Sequence, residues 1–570
     1  MVKKPLKDSK VKLMRGKIAD REDDLRLGNK GSRLGRQWRF VLTFLAMTLL
    51  ALMLVRAIQI HAHADEASFG AYPDEPAHYL SGLMVRDYIT DGFPGSPVRF
   101  AINYYLHVPY FGVGHWPPLF YVLEGVWMIL FGQSRVAVLW LIASITALLA
   151  ATIFLVARRF VSTPAAACAG LLFCLLPQVE WNNNLVMTDT SIALLGLWAT
   201  LALGRYLKTK RALFALGFGI LAGITILTKY TGLYLMLLPI AFVVLRRRWG
   251  MLRRWSFWLP LGVIGIIWLP WLALTQRFAR TGLQLEDFAS ISKVSVYLKI
   301  FLLQNGPGLG VLLAFAWVLA LLKWRSLDEL ETVLFLQPSA LVLMMLLAPV
   351  PTEGRYLIPI LPSLLLLMCL ALRRASDWGE THQLVFARHW GAAVPVAFTL
   401  LYGGWALVSF PRAQPNELQP IADFVLQSKE LRSASILVPA NAEGGMIAEF
   451  AMRDPARAER ILARPNKVLS KSDWNATKYQ FYYATPAEAE QYFEQNPIDL
   501  VIVRSLLQGN VLPPERLVAD VVRQFPERWN AVAEFPSDSG GYSVFQFARP
   551  ALWNQPTPTF IERVTSPLAH

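Results

Sequence analysis

Asp74 and Glu75, in Tyr72-Pro73-Asp74-Glu75-Pro76, are adjacent carboxylates that follow the first long apolar segment. Charges beside a bilayer are costly unless used or paired, so this pair is the first candidate for chemistry at a membrane surface. A carboxylate there can be a general base, a metal ligand or a helix cap. The cap has a specific form here, because Pro76-Ala77-His78-Tyr79-Leu80 reads as a helix start. His78 supplies a nearby partner. His115 opens a second grouping, His115-Trp116-Pro117-Pro118-Leu119-Phe120-Tyr121, whose Pro-Pro step fixes the backbone and starts a helix. His115 is either a phosphate or acceptor contact or a polar residue at a helix entrance. Asp189, in Thr188-Asp189-Thr190, opens an apolar span. It favours the helix dipole there, binds a cation, or sets a second carboxylate opposite Asp74. Lys229 and Arg355, the latter followed by Tyr356, put basic residues at span ends where basic residues are otherwise scarce. A cation held there needs an anion, and a lipid-linked phosphate or pyrophosphate would supply one. The alternatives are snorkelling or ion pairs with Asp74, Glu75 or Asp189.

The elements that must position these residues are membrane helices. Of 570 residues, 54% are hydrophobic and 17% charged, against roughly 25% charged in an average soluble domain. The apolar content comes in long blocks separated by basic clusters, the pattern of a polytopic α-helical membrane protein. The blocks run approximately 39–60, 134–157, 164–180, 186–204, 212–228, 231–245, 255–275, 306–322, 331–350, 356–372 and 391–410. That predicts about eleven transmembrane helices. Blocks 212–228 and 231–245 are separated only by Lys229-Tyr230, so they form a tight hairpin or a broken element.

With eleven spans, the basic clusters Arg158-Arg159, Arg205 to Arg211, Arg246-Arg247-Arg248 with Arg253-Arg254, Lys323 to Arg325 and Arg373 onward all fall on one side. The tail 1–38 falls there too, and residues 1–39 carry 13 Lys/Arg against 5 Asp/Glu. The positive-inside rule makes that side cytoplasmic. The expected organisation is then a basic cytoplasmic tail, a membrane domain over 39–410 with a long first outer loop at 61–133, and an extracytoplasmic C-terminal domain over 411–570. The first apolar block follows a long charged segment with no clear cleavage site, so it reads as a retained anchor. Within the outer loop, Leu119 to Phe131 is apolar and aromatic but short, and reads as an interfacial helix. Beyond Pro411, apolar runs such as Ser435 to Val438 and Leu500 to Val503 alternate with helical stretches such as Pro486 to Tyr492. That is a small α/β domain.

The formal net charge is +15. Its place at span ends argues for topology and contact with anionic membrane lipids, and against nucleic acid. Cys168, Cys174 and Cys369 all lie within apolar blocks, so no disulfide framework or cysteine metal site is visible. Asp74, Glu75, Asp189 and His115 could form a weak divalent-cation site, but their spacing is not diagnostic. No tightly held metal and no required cofactor are expected.

One chemistry unites the four groupings: glycosyl transfer from a polyprenyl-phosphate sugar. The phosphate leaves, so Lys or Arg should meet its charge. A carboxylate should take the acceptor's proton or orient its hydroxyl. The rival class is a polytopic transporter or flippase, which would place buried charges near the bilayer midplane, in broken helices and repeats. A structural or assembly protein with an outer binding domain is the third class, and the Pro-rich loop with Asp74 and Glu75 counts against it.

The ordered set Pro73-Asp74-Glu75, His115 to Tyr121, Thr188-Asp189-Thr190, Gly223 to Leu233 and Arg355 to Pro362 resembles the membrane-embedded GT-C glycosyltransferases. The likeness is to their ArnT-like and protein O-mannosyltransferase-like (family 39) branch, over roughly residues 35–375. It implies a bacterial inner-membrane, inverting enzyme acting away from the cytoplasm, with a polyprenyl-phosphate hexose or pentose as donor. The acceptor would be an envelope glycolipid, polysaccharide or protein hydroxyl. It puts catalysis on Asp74 with Glu75 beside it, the donor phosphate on Lys229 and Arg355, and supporting roles on Asp189, His115, Tyr356 and His78. The chain departs from the branch at Ala77-His78, where a Tyr-Ala-Glu helix is common, at His115-Trp116, where a basic residue often precedes Pro-Pro, and at Tyr230, where Gly often follows Thr-Lys.

Overall fold

The computed structural model describes residues 38–569 except 113, 280–291, 307, 349–351, 383–384, 458, 473–477, 506–510, 538–539 and 549–555. The basic tail 1–38 lies, save for its last residue, outside the described residues. Every apolar block expected from the sequence is helical. Among the described residues, six helices are long and apolar enough to cross a membrane: α1 (Trp38–His61), α5 (Arg135–Ala157), α8 (Asp189–Thr209), α11 (Trp255–Ala279), α14 (Glu329–Leu347) and Gly354–Gly379, most of which lies in α15 (Leu361–Thr381). A seventh is α6 (Thr163–Cys174) with α7 (Pro177–Asn183), bent by 57° where Pro177 restarts the helix. The remaining blocks are shorter apolar helices: α9 (Ala212–Ile226), Tyr230–Arg246 with α10 (Leu237–Arg246) as its α-helical part, α13 (Leu309–Leu322) and Ala393–Ser409 within α16 (Val385–Ser409). By length and composition the structure therefore carries six or seven spans, and eleven crossings require the shorter helices as well. Helix α12 (Ser292–Gln304) fills the loop at 276–305, which the hydropathy pattern left without an element.

The long loop at 61–133 folds into α2 (Asp74–Thr90), α3 (Pro97–His107) and α4 (Leu119–Phe131). Helix α4 packs along α2. Over the loop sits the C-terminal region, with helices α17 (Gln419–Gln427), α18 (Glu443–Arg453), α19 (Pro465–Val468), α20 (Pro486–Glu494), α21 (Pro513–Gln524) and α22 (Pro558–Ala569). Its five-stranded sheet has the order β2-β1-β5-β7-β6, with β1 (Ile436–Leu437) parallel to β2 (Leu462–Ala463) and β5 (Leu500–Arg504). Strand β7 (Tyr542–Phe547) runs antiparallel to β5 and to β6 (Trp529–Phe535), and β3 (Ser470–Ser472) pairs with β4 (Tyr479–Phe481) apart from them. The α/β expectation for this region holds.

Loop and sheet share one core. Phe69, Tyr79, Leu80, Leu83 and Tyr104 of the loop pack in the same buried cluster as Ile421, Ile436, Met446, Ile447 and Phe450. Polar ties surround it. Arg457 reaches Gln133 (2.9 Å) and Asp87 (3.5 Å), Gln133 donates to the Met452 carbonyl (2.6 Å), and Arg464 reaches the Pro109 carbonyl (3.1 Å). At the centre, a Cβ added at Gly445 of α18 would lie 2.2 Å from the Phe69 carbonyl oxygen, and one at Gly444 would lie 2.7 Å from Pro76. Only glycine lets α18 come this close to the start of α2.

Candidate active site

Asp74 is the first residue of α2, and Pro73 before it already has helical dihedrals, so the chain enters the helix preset. The N-cap position is Pro73, which has no side chain able to cap, and the Asp74 carboxylate is used elsewhere. Its Oδ2 accepts from Arg355 Nη2 at 2.7 Å, across 281 residues of sequence. Arg355 is the second residue of the 3₁₀ helix Gly354–Ile360, which extended Glu353 precedes. Its Nε donates to Glu353, and its guanidinium lies 4.5 Å above the Tyr72 ring and 5.2 Å from that of Tyr356. Two carboxylates and two aromatic faces thus hold this cation buried.

The helical repeat puts His78 one turn beyond Asp74 on the same face. Its Nδ1 is 2.7 Å from the Tyr121 hydroxyl, and the Trp116 ring packs 4.4 Å away. Tyr121 lies in the first turn of α4, whose leading Leu119 N–H donates to the Leu227 carbonyl (3.0 Å). That bond pins the Pro-Pro helix start to the break between α9 and the next helix.

The break positions Lys229. Its backbone is extended (φ −162°, ψ 140°), and a 3₁₀ helix, Tyr230–Met236, follows. A Cβ on Gly232 would sit 2.9 Å from the Thr225 carbonyl carbon, whereas in a continuous helix these residues would lie ~10 Å apart. The chain therefore doubles back tightly, the hairpin form of the two sequence alternatives. Lys229 Nζ donates to Asp189 Oδ1 at 2.6 Å and lies 4.9 Å over the Tyr356 ring. Asp189 is the first residue of α8, where the helix dipole favours a carboxylate.

Asp74, His78, Tyr121, Lys229, Arg355 and Tyr356, with Trp116, Thr188 and Thr228, line one cavity of about 40 Å³. That holds only two or three water molecules, so the two ion pairs close the site over itself. Several buried polar atoms here lack a protein partner among the described residues: Arg355 Nη1, Asp189 Oδ2, and the hydroxyls of Thr188, Thr190 and Ser191. A ligand rich in oxygens and hydroxyls would satisfy them.

Not every candidate joins the cluster. Glu75 turns away into a fully buried ion pair with Arg135 (2.6 Å), and also accepts from the N–H groups of Val186 and Gly70 (3.2 Å each). It anchors α2 and does not line the cavity. His115 is half-buried beside Trp116, their rings 5.7 Å apart, and is also absent from the lining. Sequence reasoning left out Tyr72 and Glu353 as holders of Arg355, and Arg135 as the partner of Glu75. Arg135 was findable, since it is a basic residue at the start of an apolar span, as Lys229 and Arg355 are. Among the described residues, no group of three His, Cys, Asp or Glu side chains converges as a metal site.

The model of the dolichyl-phosphate-mannose-protein mannosyltransferase family matches residues 115–273, which include Asp189 and Lys229. In fold the chain is similar to ArnT from Cupriavidus metallidurans in the apo state, with a TM-score of 0.54 and 15% identity over 90% of this chain and 98% of that one. It is similar to the same ArnT bound to undecaprenyl phosphate, with a TM-score of 0.53 and 15% identity over 90% and 99%. It is also similar to the oligosaccharyltransferase AglB of Archaeoglobus fulgidus in complex with an inhibitory peptide and a dolichol-phosphate, with a TM-score of 0.53 and 12% identity over 92% and 77%. The curated proteins give no match. At these identities the solved structures speak for the fold.

Proposed function

Starting from a chain of GT-C glycosyltransferase type, ArnT-like and protein-mannosyltransferase-like, we propose that it moves a sugar from a polyprenyl-phosphate donor to a hydroxyl of an envelope acceptor. The carrying observation is that Asp74, Lys229 and Arg355, far apart in sequence, meet at one buried cavity where two spans begin. The acceptor oxygen attacks the anomeric carbon, and its proton passes to Asp74. The bond from that carbon to the phosphate oxygen breaks, and the lipid phosphate leaves with the electron pair. One displacement inverts the anomeric centre. Lys229 and Arg355 would bind the leaving phosphate, with negative charge growing where two cations are already fixed. Tyr356 faces both cations and would keep water from them. Asp189 would position Lys229, and His78 would position Tyr121. His115, outside the lining, would act at the acceptor entrance.

The reaction would lie on the extracytoplasmic face of a bacterial inner membrane, as the placement of basic clusters favours. Hexosyl and pentosyl donors both suit the chemistry, as do glycolipid, polysaccharide and protein acceptors. No divalent cation should be needed, so EDTA should leave transfer unchanged. The test is transfer from a panel of radiolabelled polyprenyl-phosphate sugars to extracted envelope acceptors, in lipid discs. Wild type should transfer and Asp74→Asn should lose about 10²–10⁴ in rate. Solute flux in sealed vesicles with no transfer from any donor would overturn the proposal in favour of a transporter.

A further inference from the structure

We propose that the chain holds a second anion site, for the phosphate headgroup of an anionic phospholipid, at the membrane face opposite the Asp74 cluster. The span that begins after Lys229 runs through the 3₁₀ helix and α10 to Arg246. Its length is roughly 29 Å at ordinary helical rises, close to the thickness of a bilayer core. At its far end Arg246, Arg247, Arg248 and Arg325 surround a depression of about 320 Å³, with Leu245 and Trp324 completing the lining.

The depression is built by specific contacts. Arg246 Nη1 donates to the carbonyls of Trp324 (3.0 Å) and Arg325 (3.3 Å), which ties the end of α10 to the short 3₁₀ helix Trp324–Ser326. Arg247 ends α10 in the left-handed conformation (φ 52°), uncommon for a residue other than glycine. Arg325 lies 5.3 Å over the Trp324 ring. Among the described residues, no carboxylate is within ion-pair distance of any of these four guanidiniums. Nearby acids are engaged elsewhere, Asp328 with Arg159 (3.8 Å) and Glu331 with Arg374 (3.7 Å). Lys210 adds positive charge beside Arg248 and Arg254, and Glu329 is the carboxylate that faces it.

So much like charge without a protein anion repels itself, and a phosphate offsets it with charge-assisted hydrogen bonds. The surroundings point to a lipid as the source. Trp249, Trp255 and Trp258 follow the arginines and are 56%, 71% and 48% exposed, as tryptophans at headgroup depth are. Ile240 and Val244, one turn apart on α10, are 54% and 53% exposed and offer a track for an acyl chain below the arginines.

The test uses the full chain in neutral detergent, with native mass spectrometry counting retained lipid after titration with phosphatidylglycerol or phosphatidylcholine. Wild type should retain phosphatidylglycerol and not phosphatidylcholine, and added salt should weaken retention. Arg247→Gln with Arg248→Gln should weaken it roughly thirtyfold. Sodium phosphate at matching concentration should not displace the lipid. Full retention by the double variant, no retention by wild type, or displacement by inorganic phosphate would each overturn the proposal, the last by making this a free-anion site. If the double variant does not fold, Arg325→Gln on the exposed short helix should weaken retention roughly fivefold, and an unchanged value would overturn the proposal equally.

Discussion

A carboxylate beside an arginine stays ionised where an isolated one would begin to protonate. For Asp74, burial alone would raise the carboxyl, but the charge of Arg355, aided by its hydrogen bond and by Lys229, outweighs it and holds the group below its usual 3.8. His78 is also held below its usual 6.5, which for an imidazole favours the uncharged form. Burial, opposed by Asp74, pushes the imidazole down to about 3, so it is neutral in use. Neither group changes charge near neutrality, and kcat/KM should show no acid limb from them between about pH 8 and about pH 5. A limb near pH 6.5 that vanished in His78→Gln would contradict this. Stability behaves differently. The folded His78 binds fewer protons than the unfolded one, so its contribution is complete above 6.5 and is lost as pH falls from 6.5 toward about 3. The Asp74 contribution is present above 3.8 and is lost below it. Tm should therefore fall on acidification, and His78→Phe should flatten the slope. Glu75 is a different test. Glu75→Gln leaves Arg135 buried without its counter-charge, which costs about 3–5 kcal/mol. It should lower Tm and yield while the surviving protein keeps its specific activity. Asp74→Asn should lose transfer and lower Tm less, because Glu353 still accepts from Arg355.

Two close approaches at the level of elements can be probed directly. Gly232→Val would drive a side chain into the Thr225 backbone and open the hairpin that aims Lys229. KM for the lipid donor should rise, and a split in which only kcat falls would argue against a donor role for Lys229. Gly445→Val would meet the Phe69 carbonyl and lift α18 from the root of α2. Transfer should fall while far-UV circular dichroism stays unchanged. The helices themselves were legible in the sequence, because hydropathy is local: each of the eleven apolar blocks is a helix. How many of them cross is a matter of length and tilt, which composition does not carry. The charge rule also singled out Lys229 and Arg355 as cations out of place. It could not tell that Arg355 would take Asp74 and Lys229 would take Asp189, since those pairs span 281 and 40 residues. Adjacency in sequence misled at Glu75. Successive helical residues point about 100° apart, so one carboxylate faces the cavity and the next faces Arg135.

Across the whole molecule, the loop at 61–133 and the C-terminal sheet share one core, while the other face of the sheet closes a second core with the C-terminal helices. A chain ending at Phe410 should still insert in the membrane but lose transfer. In limited proteolysis its loop should be cut around α3, where the full chain resists. Protection of the truncated loop would show that it folds alone. The order of manufacture follows from the same docking. Asp74 leaves the ribosome some 370 residues before Gly445, the glycine that lets α18 seat against the root of α2. At ordinary synthesis rates that interval is roughly 20–70 s. Throughout it the helix that carries the carboxylate has α4 along one side but lacks α18 against its root. A half-made copy should therefore be inert toward the donor lipids around it, and translation of the last quarter of the message should act as the switch that arms the enzyme.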